Sequence, residues 1–252
     1  MAGHSKWAQI KRKKEATDAR KGQIFTKISR EIAVAVRQGG PDPEANYRLR
    51  LAIQKARSIN MPADNIKRAI ERAAGEGSNA TNYEEITYEG YGPAGVAVLV
   101  ETLTDNRNRT VSEIRNVFNR SGGRLGESGS VSWIFDEKGL IVVEPDNQHT
   151  ADDIALAAIE AGAEDVTPLE DGTVEVYTQF QDLKSVEESL EQMGFKVASA
   201  EKVYIPNTYV EPSDTDAQSI LKFIEKLEDL DDVQEVYTNM KTEADVAMNA
   251  TG

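Results

Sequence analysis

Along the first third of the chain, apolar residues recur at intervals of three and four. In GQIFTKISREIAVAVRQGG, Ile24, Ile28, Ile32 and Val36 share one helical stripe, with Phe25 and Ala35 beside them. Gly39 and Gly40 end that helix, and Pro41 and Pro43 reinforce the stop. PEANYRLRLAIQKARSIN carries a second apolar face at Leu49, Ile53 and Ala56. MPADNIKRAIERAAGEG carries a third at Ile66, Ile70 and Ala73, with Pro62 near its start and Gly75 after it. Three helices with short links predict a small helical bundle. GEGSNATN, residues 75–82, reads as a linker.

Beyond the linker the texture changes. EEITYEGYG and GVAVLVETLT read as strands around a Gly-Pro turn. NRTVSEIRNVFNRSGG reads as a helix with Val111, Ile114 and Phe118 inside, and SVSWIFDEKGLIVVEP as strand interrupted at Gly139. Next come strand GLIVVE, helix ADDIALAAIEAGA, the hairpin EDVTPLED and TVEVYTQ, helix FQDLKSVEESLEQMG and strand FKVASAEKVYIP. That order, βαββαβ, is the ferredoxin-like split motif. TDAQSILKFIEKLEDL and VQEVYTNM add a helix and a strand, the pieces that residues 84–136 lack. The expected fold class is therefore α+β multidomain. An N-terminal three-helix domain (1–80) precedes a discontinuous α+β domain (81–136 and 206–242), into which a ferredoxin-like α+β domain (137–205) is inserted.

Charge sharpens this division. The 252-residue chain has a formal net charge of -14. Residues 1–74 nevertheless hold 17 Lys and Arg against 7 Asp and Glu, a balance of +10, whereas residues 75–252 hold 12 against 36, or −24. A basic module on an acidic body points to a polyanion held at one end. Residues 1–21 are polar and basic, with Trp7 and Ile10 as their only large hydrophobes, and read as a mobile arm that turns helical against a partner. Lys6, Lys11, Arg12, Lys13, Lys14, Arg20, Lys21, Lys27 and Arg30 attract phosphate and release counterions. His4 and Trp7 supply rings that stack on unpaired bases. Arg48, Arg50, Lys55, Arg57, Lys67, Arg68 and Arg72 extend the charge across the bundle. A solvated basic surface is the alternative; the contrast with the acidic body favours nucleic acid. In TDNRNRT, residues 104–110, Asn106 or Asn108 suits a helix cap. Asn106, Arg107, Asn108 and Arg109 form either a capped helix start with surface arginines or a second contact for phosphate or a protein partner.

Catalysis finds no foothold. The chain has no Cys, which excludes disulfides, thiolate metal sites and a Cys nucleophile. Its two histidines, His4 and His149, fall in different expected domains, so neither a zinc site nor a Ser-His-Asp triad assembles. His149 suits a helix start. GGRLGESGS lacks the spacing of GxGxxG and the Lys of GxxxxGK[ST]; a helix cap and turn is preferred there over phosphate binding. In the acidic stretches EPSDTDAQ and EDLDDVQE, Asp214 and Asp216 suit a helix N-terminus and the rest reads as solvated surface. The polar, basic start argues against a secretory signal, and no apolar run approaches the ~20 residues of a membrane span. A cytoplasmic, non-enzymatic protein without cofactor, metal or small-molecule substrate is expected.

Long strings of the chain resemble the YebC family: MAGHSKWAQIKRKKEATDARKGQIFTKISREI, INMPADNIKRAIERA, YEGYGPAGVAVLVETLTDNRNRT, GSVSWIF, AGAEDV and LEDLDDVQEVYTN. The resemblance runs in order through nearly the whole chain. It implies a helical N-terminal domain and two α+β domains, one inserted in the other. It also implies one of two regulatory roles. Bacterial members are described as probable transcriptional regulators that bind DNA. A mitochondrial relative is a translational activator for a cytochrome oxidase subunit, and some bacterial members are linked to ribosomes stalled on proline-rich stretches. No convincing base-reading pattern is visible in the N-terminal helices, and a basic arm on an acidic body suits folded RNA. Both roles stay open on the sequence.

Overall fold

The computed structural model describes residues 18–75, 81–146 and 149–241. These fall into two compact units, one drawn from 1–30, 79–136 and 205–252, the other from 31–78 and 137–204.

Three N-terminal helices form where the periodicity placed them: α1 (Asp18–Gly39), α2 (Tyr47–Ser58) and α3 (Ala63–Gly75). Helix α1 starts six residues ahead of its apolar stripe, and buries Ile28, Ile32, Val34, Ala35 and Val36. Helix α2 buries Leu49, Ala52, Ile53 and Ala56; α3 buries Ile66 and Ala73, and Ile70 is half-buried. Asn46 makes the corner between α1 and α2. Its Oδ1 caps α2 by accepting from the Leu49 amide at 3.1 Å. Its Nδ2 donates to the carbonyls of Ala35 and Gly40 at 2.7 and 2.8 Å, closing the end of α1. A Cβ on Gly39 would come within 2.7 Å of that side chain, so glycine is needed there for room. Tyr47 and Leu51 of α2 pack on the cluster containing Ile141, Ile154, Val176 and Leu190. The buried Glu187 accepts from Tyr47 Oη at 2.7 Å and from Gln54 Nε2 at 2.8 Å.

The first four-stranded sheet has the order β3-β1-β2-β8, from β1 (Glu84–Tyr91), β2 (Ala97–Thr104), β3 (Arg124–Leu125) and β8 (Val233–Thr238). Helices α4 (Arg107–Arg120) and α7 (Asp214–Glu228) supply the other half of its core. Val98 and Val100 meet Ile114 and Phe118 of α4 and Ile220, Phe223, Ile224 and Leu227 of α7. Phe118 and Phe223 meet edge to face, with centroids 4.9 Å apart. At Gly90, opposite Val98, a side chain would strike the Phe118 ring at 2.7 Å.

The second sheet has the order β5-β6-β4-β7, from β4 (Phe135–Glu144), β5 (Asp165–Pro168), β6 (Val174–Gln179) and β7 (Lys196–Pro206). With α5 (Ala151–Glu160) and α6 (Leu183–Gln192) it realises the split βαββαβ order. An α+β multidomain layout is thus what the chain adopts.

Two strand expectations fail in detail. Residues 132–134 form a 3-10 turn rather than strand, and β4 runs unbroken through Gly139 into the second sheet. The third strand of the first sheet is instead the two-residue β3, inside the stretch read as a turn. Truncating Asn46 removes a cap and leaves two carbonyls without their donor. We expect Asn46→Ala to cost roughly 2–3 kcal/mol. Asn46→Asp, which keeps the cap acceptor but turns a carboxylate toward two carbonyls, should be no milder; urea unfolding of the two variants measures both.

Candidate nucleic-acid interface

The loop before β8 carries a carboxylate that the sequence did not mark. EDLDDVQE was read as solvated surface, yet Asp232 is buried, with 2% of its side chain exposed. An isolated carboxylate in that position is costly, and four groups converge to prevent it. Arg30 Nη1 donates to Oδ1 at 2.9 Å and Arg109 Nη2 to Oδ2 at 2.6 Å. The hydroxyls of Thr110 and Thr104 lie 2.7 and 3.1 Å from Oδ2. Burial pushes the Asp232 carboxyl up, but Arg109 and the two threonines outweigh it and hold the group below its ordinary range. The same hydrogen bonds, with one to Asp105 at 2.8 Å, raise the Arg109 guanidinium. Arg30 also donates to the Asp231 carbonyl at 2.7 Å and lies 5.7 Å from the centroid of the Tyr83 ring. Lys27 Nζ donates to the carbonyl of Glu228, the last residue of α7, at 2.5 Å, as a cation does at a helix C-terminus.

A second buried carboxylate shapes the loop before β4. Glu89 accepts from the amides of Gly129, Val131 and Ser132 at 2.8, 2.9 and 2.8 Å. Burial raises its carboxyl; the three amides overcome this and leave it lowered. These are the donors a bound phosphate would use, and an internal anion already occupies them. The capture also explains why this loop cannot continue as strand. Held on it, Trp133 is 67% exposed. Its indole N–H donates to the Ser130 carbonyl at 3.2 Å, and its own carbonyl accepts from Asn207 Nδ2 at 3.2 Å. The sequence placed this tryptophan in a strand and gave it no role.

His4, Lys6, Trp7, Lys11, Arg12, Lys13 and Lys14 lie outside the described residues, and Arg20 is described only as part of α1. Lys21 is exposed on the first turn of α1. Arg30 and Arg109, drawn from the two separate candidate groups, meet at Asp232. Asn106 is the N-cap of α4, accepting from the Arg109 amide at 3.1 Å, while Arg107 and Asn108 are exposed. Arg68, exposed on α3, bonds its own helix through the Asp64 carbonyl and Asn65 Oδ1. Other basic residues of the N-terminal helices are also engaged: Arg48 with Gln38, Arg50 with Glu188, Lys55 with Glu31 and Lys67 with Glu71. His149 precedes the Thr150 cap of α5 and bonds Asp146, its ring 4.6 Å from that of Phe195. Among the described residues no cluster of three His, Asp or Glu could hold a metal, and no helix is long and apolar enough to cross a membrane.

A helical N-terminal part followed by two α+β sheets, with charge divided between them, defines the architectural class. Residues 5–76 match the TACO1/YebC protein N-terminal domain, and residues 83–240 the TACO1/YebC second and third domain. The chain belongs to the TACO1/YebC family. It is 56% identical to a probable transcriptional regulatory protein of Thermomicrobium roseum, over 98% of both chains. A protein of the same description from Herpetosiphon aurantiacus is 51% identical over 98% of this chain and 97% of its own. The crystal structure of a conserved hypothetical protein from Aquifex aeolicus superposes with a TM-score of 0.81 at 47% identity, covering 93% of this chain and 96% of that one.

Both lowered carboxylates stabilise the fold above their unfolded pKa of about 4, and that stabilisation is lost as pH falls through their folded values. Asp232→Asn with Glu89→Gln should lower the melting temperature at pH 7. The double variant's stability should also decline less steeply than that of wild type as pH falls below about 4. Asp105→Asn, which removes only an exposed pairing, should change stability by less than about 1 kcal/mol.

Proposed function

We propose that this protein is a non-enzymatic regulator of gene expression that holds nucleic acid at its cationic N-terminal end. The observation that carries this reading is the division of charge, +10 over residues 1–74 against −24 over the remainder. In this reading residues 1–80 form the binding domain, and Lys6, Lys11, Arg12, Lys13, Lys14, Arg20 and Lys21 take phosphates while His4 and Trp7 stack on bases. The acidic domains, 81–136 with 206–242 and 137–205, repel phosphate at long range, so first capture falls to the N-terminal end. Arg30 and Lys27 act from beneath, fixing α1 on the carbonyls and carboxylate after α7. The work is done in the cytoplasm.

Two targets fit. The description of the relatives from Thermomicrobium roseum and Herpetosiphon aurantiacus as probable transcriptional regulatory proteins supports a DNA-binding transcriptional regulator. The engagement of Arg48, Arg50, Lys55, Lys67 and Arg68 with their own neighbours supports the other, a translation factor on the ribosome. Helices whose cations are so occupied offer few side chains to base edges, and a grip by phosphate and shape suits folded RNA.

Neutralising Lys11, Lys13 and Lys14 together to Gln should weaken binding to any nucleic acid and reduce the slope of log K against log salt by about 2–3. Unchanged affinity and slope would remove the arm from the interface. Salt-resolved sedimentation with purified ribosomes, in competition with excess random duplex DNA, separates the targets. Retention on ribosomes is the outcome for a translation factor, and ready displacement by DNA is the outcome for a duplex binder.

A further inference from the structure

Within the first unit the outward side of α4 carries cations and amides without an acid among them. Its inner side is fixed by the buried Thr110, Ile114 and Phe118. Opposite them, Asn108, Ser112, Arg115, Asn116 and Asn119 are all exposed, at the spacing of one helical stripe. Arg107 and Arg120, the first and last residues of the helix, are exposed on the two flanks of the stripe. No acid lies on the stripe; Glu113, the sole acidic residue of the helix, is half-buried to one side. The stripe from 108 to 119 is about 17 Å long, some five nucleotide steps at roughly 3.4 Å each.

The partners of the cations make the contrast. In residues 137–204 all four basic residues pair with carboxylates: Lys138 with Glu164, Lys184 with Glu188, Lys196 with Glu144 and Lys202 with Glu137. On α4 only Arg109 does so, bound to Asp105 and Asp232. Among the described residues Arg107, Arg115 and Arg120 have no hydrogen-bond or ion-pair partner. A domain rich in carboxylates would readily quench three arginines, yet these remain available. The helix that bears them is rigid, capped by Asn106, moored by Arg109 on Asp232 and packed through Phe118.

We propose that this face of α4 is a second nucleic-acid contact, and that its occupant is the phosphate–ribose backbone of a folded RNA. The inference rests on the nucleic-acid reading above and deepens its ribosomal branch. Guanidinium forks bind phosphate oxygens in pairs, which Arg107, Arg115 and Arg120 can do without first leaving a carboxylate. Asn and Ser side chains both donate and accept, and so match a 2′-hydroxyl. The wide, shallow minor groove of an A-form helix displays those hydroxyls beside its phosphates, where a convex helix face can reach them. The acidic surroundings give the face little long-range attraction. It engages once the N-terminal arm has brought the RNA close, as the second grip of a two-point hold.

The test uses the full-length protein with a fluorescein-labelled RNA hairpin of about 20 base pairs and a DNA hairpin of the same sequence. Anisotropy titrations are run across a salt series, with thermal melting of every variant as a check on folding. The triple variant R107Q/R115Q/R120Q should bind the RNA hairpin at least 10-fold more weakly and lose about 2–3 from the salt slope, as three phosphate contacts would. N108A/N116A/N119A should weaken RNA binding while leaving DNA binding within 2-fold, the signature of 2′-hydroxyl contacts. K222Q/K226Q on α7 is the charge control. Those lysines are exposed on a helix that also carries Asp214, Asp216, Glu225 and Glu228, and their loss should leave RNA affinity within 2-fold. Equal losses for the α4 arginines and the α7 lysines, or no loss for either, would overturn the proposal. So would asparagine variants that leave RNA binding untouched or weaken RNA and DNA alike. If neutralising the arm weakens binding and the α4 variants do not, the α4 contact fails while the nucleic-acid reading stands. If wild type binds neither hairpin, both fail.

Discussion

A carboxylate removed from water dictates much of the first unit. Asp232 sits just before β8, and its burial leaves no choice but to bring cations and hydroxyls to it. Those partners come from far away in sequence, Arg30 on α1 and Arg109, Thr110 and Thr104 around the start of α4. A single side chain therefore ties together the middle of one helix, the first turn of another and the end of a strand. Because Arg30 and Arg109 are each bound to a buried acid, they are poor candidates to exchange that partner for a phosphate in water. Their basicity serves to orient the helices that carry freer cations.

Glu89 plays a comparable part for the loop that presents Trp133. Three consecutive-looking backbone donors, which in another protein would form an anion site, are closed from inside by this carboxylate. The consequence is chemical as well as structural. A glycine-rich segment that resembles a phosphate loop in composition is rendered inert to phosphate, while the tryptophan beside it is held outward by two hydrogen bonds.

The helices and the βαββαβ order were legible because burial imposes period on sequence. Leu49, Ile53 and Ala56, or Ile114 and Phe118, announce an inner face whatever surrounds them. A cap at Asn106 or Asn108 and a helix start at Asp214 and Asp216 were legible for the same local reason; the structure selects Asn106 for the first and adds Ser213 as the cap of the second. What escaped notice depends on long-range geometry. Asp232 lies in a run of acids, and nothing local separates it from Asp231 and Asp229; only the apolar Leu230 and Val233 on either side hint that the chain turns inward there. The strand expected from residue 130 begins only at Phe135, because amides before it were claimed by a residue some forty positions earlier. Residue type identified the cations correctly as cations, but could not say which ones carboxylates had already taken.

That last distinction is where function is decided. A count of Lys and Arg treats Arg109 and Arg115 alike, although one is bound to two acids and the other to none. Binding phosphate requires a cation whose existing interactions are weaker than the new one, so paired arginines contribute scaffold and unpaired ones contribute affinity. In an acidic domain, long-range attraction is absent and only short-range contact remains. On the proposed α4 contact, specificity then follows from shape, since a ligand must already be positioned before the exposed row on α4 can engage it. A strongly basic end that captures and a sparse cationic row that checks fit would together favour a folded polyanion over an arbitrary one.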